Sequence, residues 1–215
     1  MTTLSLVPPP PKPFPKVKTK RYSSGLHLHR VHDGNYAGNQ FNPCLGQPSR
    51  FAPLYAFDKK CVPTLYAADS FDAAVFESIF HDIPYNASQK TVRREKIMAV
   101  AHSKLKTKRN LTLVPLYEPE LRNWNITKTQ LINTLPAAYG ETVLWAQAIH
   151  AADQSAQGMI WTSRHCDPDL AMIFFEGRVN DDDFEVLETT FASKSSSLLD
   201  SFRGVGKRAG ITITK

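Results

Sequence analysis

Five residues carry side chains that could act together on a phosphorylated substrate: Arg30, Arg50, Tyr66, Glu77 and Ser163. An arginine guanidinium is a planar fork that makes paired, charged hydrogen bonds to phosphate. A tyrosine ring offers a flat face for stacking. A carboxylate accepts hydrogen bonds from hydroxyls and favours positive charge that develops in a transition state. Ser163 offers a hydroxyl for positioning, and Arg164 follows it as a further cation. Taken singly, each residue also has a plainer reading. Arg30 on a strand suits a surface ion pair, and Tyr66 suits a core position with a polar tip. Ser163 suits a strand-end cap, Arg164 a solvated charge, and Glu77 an exposed helix carboxylate. The set carries the inference, and no single position does.

The elements that must position these residues can be read from periodicity. Leu26–Val31 reads as a strand that ends near Arg30. Gly34–Pro53, rich in Gly, Asn and Pro, reads as a long loop holding Arg50. Val62–Ala67 reads as a short strand bearing Tyr66, and Ser70 suits the N-cap of a helix running to about Ile83. On that helix Ala73, Phe76, Ile79, Phe80 and Ile83 form the apolar face, and Glu77 falls on its flank, where a carboxylate can reach a cleft beside the core. Lys96–His102 and Leu111–Leu116 read as two adjacent strands, and Thr127–Leu135 and Glu141–Asp153 as helices. Met159–Thr162 and Leu170–Glu176 read as strands flanking the loop that begins at Ser163, with Phe184–Phe191 as a further strand. Ser196–Lys207 reads as a helix and Ile211–Thr214 as a last strand. Strands and helices mix without regular β-α-β alternation, so the expected class is α+β.

Composition narrows the function. The chain has 215 residues, 42% hydrophobic and 21% charged, enough for a sizeable core. No run of 18 apolar residues occurs, so a membrane span is not expected. The net charge of +6 is concentrated in Lys12, Lys16, Lys18, Lys20 and Arg21. The rest of the chain is nearly neutral, which argues against coating a nucleic-acid duplex. Residues 1–24, with six prolines between Pro8 and Pro15, read as a tail before a single domain over 25–215. That tail suits either a partly disordered arm or a clamp on a partner. Cys44, Cys61 and Cys166 are an odd number without a C-x-x-C pair, which favours free thiols and a cytoplasmic protein. His27, His29 and His32 do not share one strand face, so no metal site is expected. Asp181-Asp182-Asp183 reads as a turn or cap. Phosphate-loop, dinucleotide and nucleophile-elbow motifs all fail on spacing.

The ordered set resembles the RES domain, a family named for arginine, glutamate and serine. The resemblance runs from about Leu26 to about Phe175: an arginine on the first strand, Arg50-Phe51 among prolines, the strand tyrosine Tyr66, an Ala-rich helix with Glu77, and a strand ending at Ser163-Arg164. The segment between Arg50 and Tyr66 and the separation of Glu77 from Ser163 are both long for the family. The resemblance implies an ADP-ribosyltransferase-like mixed sheet core with flanking helices. It also implies an enzyme that takes NAD as substrate, with no other cofactor. Such enzymes cleave the nicotinamide–ribose bond by hydrolysis or phosphorolysis and serve as the toxin of a toxin–antitoxin pair. Glu77, Arg50 and Ser163 are then the catalytic candidates, and Arg30, Arg50, Tyr66, Ser163 and Arg164 the NAD-binding ones. Partners implied are NAD, a cognate antitoxin with a helix-turn-helix DNA-binding region, and a second copy of the chain. Transfer of ADP-ribose to a macromolecule uses the same inventory. A non-enzymatic binding protein using the basic tail is the remaining alternative.

Overall fold

A computed structural model describes residues 7–84 and 86–215. The chain forms β1 (Lys20–Tyr22), β2 (His27–Asp33), the small hairpin β3 (Leu54–Tyr55) and β4 (Cys61–Val62), β5 (Thr64–Ala68) and α1 (Phe71–Ser78). Then come β6 (Thr91–Arg93), α2 (Arg94–Met98), β7 (Val100–Thr107), β8 (Leu111–Pro115), α3 (Glu118–Asn123), α4 (Lys128–Leu131) and α5 (Tyr139–Ala152). The last third holds β9 (Gly158–Thr162), β10 (Leu170–Phe175), β11 (Phe184–Phe191), α6 (Ser196–Arg208) and β12 (Thr212–Thr214). The expected α+β class, a mixed sheet with flanking helices, is what forms.

The main sheet runs β1-β8-β9-β10-β5-β2-β7-β11. Only β8 and β9 pair in parallel; the other neighbours in this sheet are antiparallel. One junction is weak. β2 pairs with β7 along its whole length, whereas β2 and β5 share the single register pair His29↔Ala68. The sheet therefore splays between β5 and β2, and residues on the two strands diverge around an opening. β7 and β8, expected as neighbours, are not. β7 lies between β2 and β11, and β8 between β1 and β9. Long-range pairing overrides sequence adjacency here: β7 pairs in register with β2 and β11, and β8 with β1 and β9.

Apolar periodicity explains the layers. α5 buries Trp145, Ala146 and Ile149 with Met159, Trp161, Ile173 and Phe175 of β9 and β10. α1, the turn that follows it and α6 bury Phe76, Phe80, Leu199 and Phe202 together with Val31 and Ala68. Leu28, Leu65, Leu105, Ile160 and Phe174 fill a third cluster. Ser70 caps α1 as expected, its hydroxyl accepting the Ala73 N–H at 3.0 Å. The helix ends at Ser78, earlier than the periodicity predicts, with Ile79 as its C-cap.

Two expectations change. The proline-rich segment, read as an arm, packs on the body. Val7 and Val17 are buried, Phe14 meets the rings of Trp124 and Trp145 at 5.4 and 5.9 Å, and Trp145 Nε1 donates to the Pro8 carbonyl at 2.7 Å. Val7, Phe14 and Val17 were the apolar anchors hidden among prolines and lysines. Second, Cys44 and Cys61 form a disulfide and leave only Cys166 free. Cys44 adopts a left-handed φ of 64°, turning its loop back onto the β3–β4 hairpin. The two Cα atoms thereby approach to 6.1 Å, a separation one bridge spans. The inference from free thiols to a reducing compartment loses its footing. Among the described residues, no helix is long and apolar enough to cross a membrane.

Candidate active site

The splay between β5 and β2 opens a cavity of about 410 Å³, lined by residues of β2, the 36–53 loop, β5, α1 and the start of α5. Glu77, one residue before the end of α1, is its charged centre. Arg50 Nη1 lies 3.0 Å from Glu77 Oε2, with side-chain exposures of only 5% and 11%. Ser163 donates its hydroxyl to Glu77 Oε1 at 2.8 Å, and the Arg164 amide donates to the same oxygen at 3.1 Å. Burial pushes the Glu77 carboxyl up. The Arg50 guanidinium, the Ser163 hydroxyl and the Arg164 amide outweigh it and hold the group below the ordinary carboxylate range. Glu77 is therefore an anion at neutral pH, suited to stabilising positive charge and not to donating a proton.

Arg50 is fixed by its backbone. The buried Phe51 anchors the loop, and the Phe51 N–H donates to the Tyr66 phenol oxygen at 3.0 Å. Ser49 Oγ lies 3.1 Å from the same phenol oxygen, and Thr142 of α5 donates its hydroxyl to the Arg50 carbonyl. The Arg50 guanidinium itself is incompletely used. Its Nε is buried without a hydrogen-bond partner among the described residues. A buried, unpartnered donor on a charged group is costly unless a ligand or water meets it.

The other expected residues fall in graded positions. Tyr66 lines the cavity, but its hydroxyl is committed to Ser49 and Phe51, and its ring packs edge-on to Trp161 at 6.2 Å. Burial raises its pKa to about 12, although Ser49, the Phe51 amide and Arg50 oppose that shift. Arg30 lines the same cavity and donates through Nη1 to the carbonyls of Gly38 and Gln40 at 2.8 and 2.7 Å. Gly38 is required there, because a Cβ would fall 2.4 Å from Ser103 Oγ. Ser163 is fully buried and outside the cavity lining, so it touches Glu77 rather than the open space. Arg164 turns its guanidinium away, donating to the Thr134 carbonyl at 2.6 Å. Arg50, Glu77, Ser163 and the Arg164 backbone thus form one cluster. Tyr66 supports it through the Arg50 loop, and Arg30 lines the same cavity without joining the cluster.

Residues absent from the sequence reading complete the site. Ser49 and Thr142 fix the Arg50 backbone. Tyr139, at the first position of α5, and His81, just beyond α1, both line the cavity. The His81 ring places Nδ1 2.7 Å from the Ser78 carbonyl and Nε2 2.9 Å from Asp82 Oδ2. The Pro136 turn that delivers Tyr139 was a usable signal for the helix start, but nothing in the sequence shows which way that start faces.

Comparison with known proteins bears on the family and the fold. The RES domain family matches residues 27–191, which include every candidate residue. No curated protein matches the chain. Among solved structures, the chain is similar to a chain of the crystal structure of the M. tuberculosis MbcT–MbcA toxin–antitoxin complex. The sequence identity is 12% and the TM-score 0.59, over 86% of this chain and 92% of that one. At that identity the likeness is one of fold.

Proposed function

The chain belongs to the RES-domain family, and from that premise we propose that it is an NAD-consuming enzyme, the toxin of a toxin–antitoxin pair. The observation that carries the proposal is the buried Arg50–Glu77 pair, held by Ser163 and the Arg164 amide on the wall of the 410 Å³ cavity. Nicotinamide in NAD is already a cationic leaving group, so its departure needs no general acid. The C1′–N bond breaks, its electron pair leaves with neutral nicotinamide, and the ribose becomes oxocarbenium-like. Ionised Glu77 stabilises that charge and accepts a ribose hydroxyl proton in a hydrogen bond. Water then adds its oxygen to C1′ and releases one proton, giving ADP-ribose; inorganic phosphate at the same carbon gives the phosphate ester. Arg50, with its spare Nε–H, and Arg30 meet the diphosphate. Ser163 and Tyr66 act one step back, on Glu77 and on the Arg50 loop.

The fold shared with a chain of a toxin–antitoxin complex supports the toxin assignment and an antitoxin partner; a helix-turn-helix DNA-binding region in that antitoxin is what the family resemblance implies. Induced expression in a bacterium tests both levels. Growth arrest with a fall in cellular NAD, absent for Glu77→Gln, is the expected result. Arrest with undiminished NAD overturns the substrate, and a labelled macromolecule instead of free product points to ADP-ribose transfer.

A further inference from the structure

Glu77 has one lone pair left. Its Oε1 already accepts from Ser163 and from the Arg164 amide, and its Oε2 accepts from Arg50. A carboxylate oxygen takes about two hydrogen bonds. One position on Oε2 therefore remains for substrate. A ribose diol presents two hydroxyls, each both donor and acceptor, so a single acceptor cannot satisfy it. A buried site that leaves a substrate hydroxyl oxygen unmet loses affinity and orientation. The diol requires a donor near Glu77 besides Arg50, whose free N–H the reading above gives to the diphosphate.

Tyr66 cannot supply it, since its hydroxyl is bound to Ser49 and Phe51. Ser163 cannot, since its proton goes to Glu77. Tyr139 meets the requirement. It is 3% exposed, it lines the same cavity, and its phenol is not among the buried polar atoms shut off without a partner. No acceptor among the described residues takes its proton. It shares the lining of one cavity with Arg50 and Glu77, and the charges of Arg50, Asp82, Arg164 and Glu77 act on its phenol. Burial raises its pKa, so the phenol keeps its proton across the physiological range.

We propose that Tyr139 is a substrate-binding residue whose hydroxyl donates to a ribose hydroxyl of the nicotinamide nucleoside while Glu77 accepts from that diol. The inference rests on the NAD reading above and adds the residue that completes recognition of the ribose. Three tyrosines line the cavity, and their work differs: Tyr36 is exposed at 42%, Tyr66 holds the Arg50 loop, and the buried Tyr139 meets the ligand.

The test pairs a variant with a substrate change. Tyr139→Phe keeps the ring and removes the donor. With the purified full chain, kcat/KM for NAD should fall by roughly three- to tenfold, the worth of a neutral hydrogen bond, with the melting temperature unchanged. An NAD analogue lacking the 2′- or the 3′-hydroxyl of the nicotinamide ribose should show a similar loss with the parent. For one of the two analogues, that loss should shrink to less than twofold in Tyr139→Phe, because the bond is already gone. A merely structural tyrosine would leave both analogue penalties intact. A parent that cleaves NAD and a variant that cleaves it equally fast, or full analogue penalties in the variant, would overturn the assignment of Tyr139 alone. A folded parent that leaves NAD untouched overturns the underlying reading, and the ribose assignment with it.

Discussion

Arg50 and Arg178 are two arginines placed against backbone, and they spend their guanidinium groups differently. Arg178 donates through Nη1 to the carbonyls of Asp153 and Ala156 at 2.8 and 2.9 Å, and through Nη2 to the His150 carbonyl and to Gln154. These acceptors lie at the end of α5 and the turn after it, where helix carbonyls lack intrahelical partners and a cation is favoured by the helix dipole. Arg178 spends both of its Nη groups on the fold, two bonds each, and does not line the cavity. Arg50 makes one charged bond, to Glu77, and keeps a buried Nε–H with no partner among the described residues. The difference separates a structural arginine from one held ready: residual hydrogen-bonding capacity next to a cavity marks the functional member.

Breaking the Arg50 side should give the largest effect. Glu77→Gln keeps size and removes the charge, and we expect NAD turnover to fall by about a hundredfold or more. It should also lose melting temperature, because Arg50 is left buried without its anion. The pH dependence follows. The folded-state pKa of Glu77 lies below the unfolded value, so its stabilisation is complete above the ordinary carboxylate range and is lost as pH falls through the folded pKa. Acid titration of parent and Glu77→Gln by urea melts checks this, with the parent losing more. Arg50→Lys retains charge and loses the fork. NAD titrated into a Glu77→Gln background should bind about 1.5–3 kcal/mol more weakly when Lys replaces Arg50. Unchanged affinity would place Arg50 with Arg178.

Breaking the Arg178 side should move stability alone. Arg178→Ala leaves its carbonyls without their donor, and we expect a loss of about 2 kcal/mol in chemical denaturation, with turnover per folded molecule unchanged. A smaller effect comes from the other buried polar cluster. On β2 and β7, His29 Nδ1 and His102 Nε2 lie 3.0 Å apart with stacked rings, an arrangement that two imidazolium ions cannot keep. Burial, with His29 and Lys104 beside it, lowers the His102 pKa to about 4. The stabilisation from its neutral form is complete above the ordinary histidine range and is lost as pH falls toward 4. Between about pH 7 and 5.5 the parent should lose about 1 kcal/mol relative to a His102→Gln variant.

How much of this was legible in sequence follows from where each signal lives. The Ser70 cap, the Glu77 flank position and the strand around Arg30 are local, and local periodicity exposes them. The Ser163–Glu77 contact spans 86 positions and became visible only because the order of motifs resembles a family. Strand order was not legible: β7 and β8 are joined by a short turn, yet pair with other strands. The disulfide was hidden by an odd cysteine count, and the docking of Val7 and Phe14 by the prolines around them. Tyr139 gave no sign because its role depends on the direction of one helix start, which tertiary packing sets. Tyr66 gave a misleading one, since a hydroxyl near a site is not a hydroxyl available to it.

The most direct measurement is product mass analysis after purified protein meets NAD, with and without inorganic phosphate, in parallel with Glu77→Gln. We expect nicotinamide with ADP-ribose, or its phosphate ester when phosphate is present, from the parent, and at least about a hundredfold less from the variant. Intact NAD with a folded parent, or equal product from the folded variant, would contradict the assignment of the Arg50–Glu77 cavity as the catalytic centre.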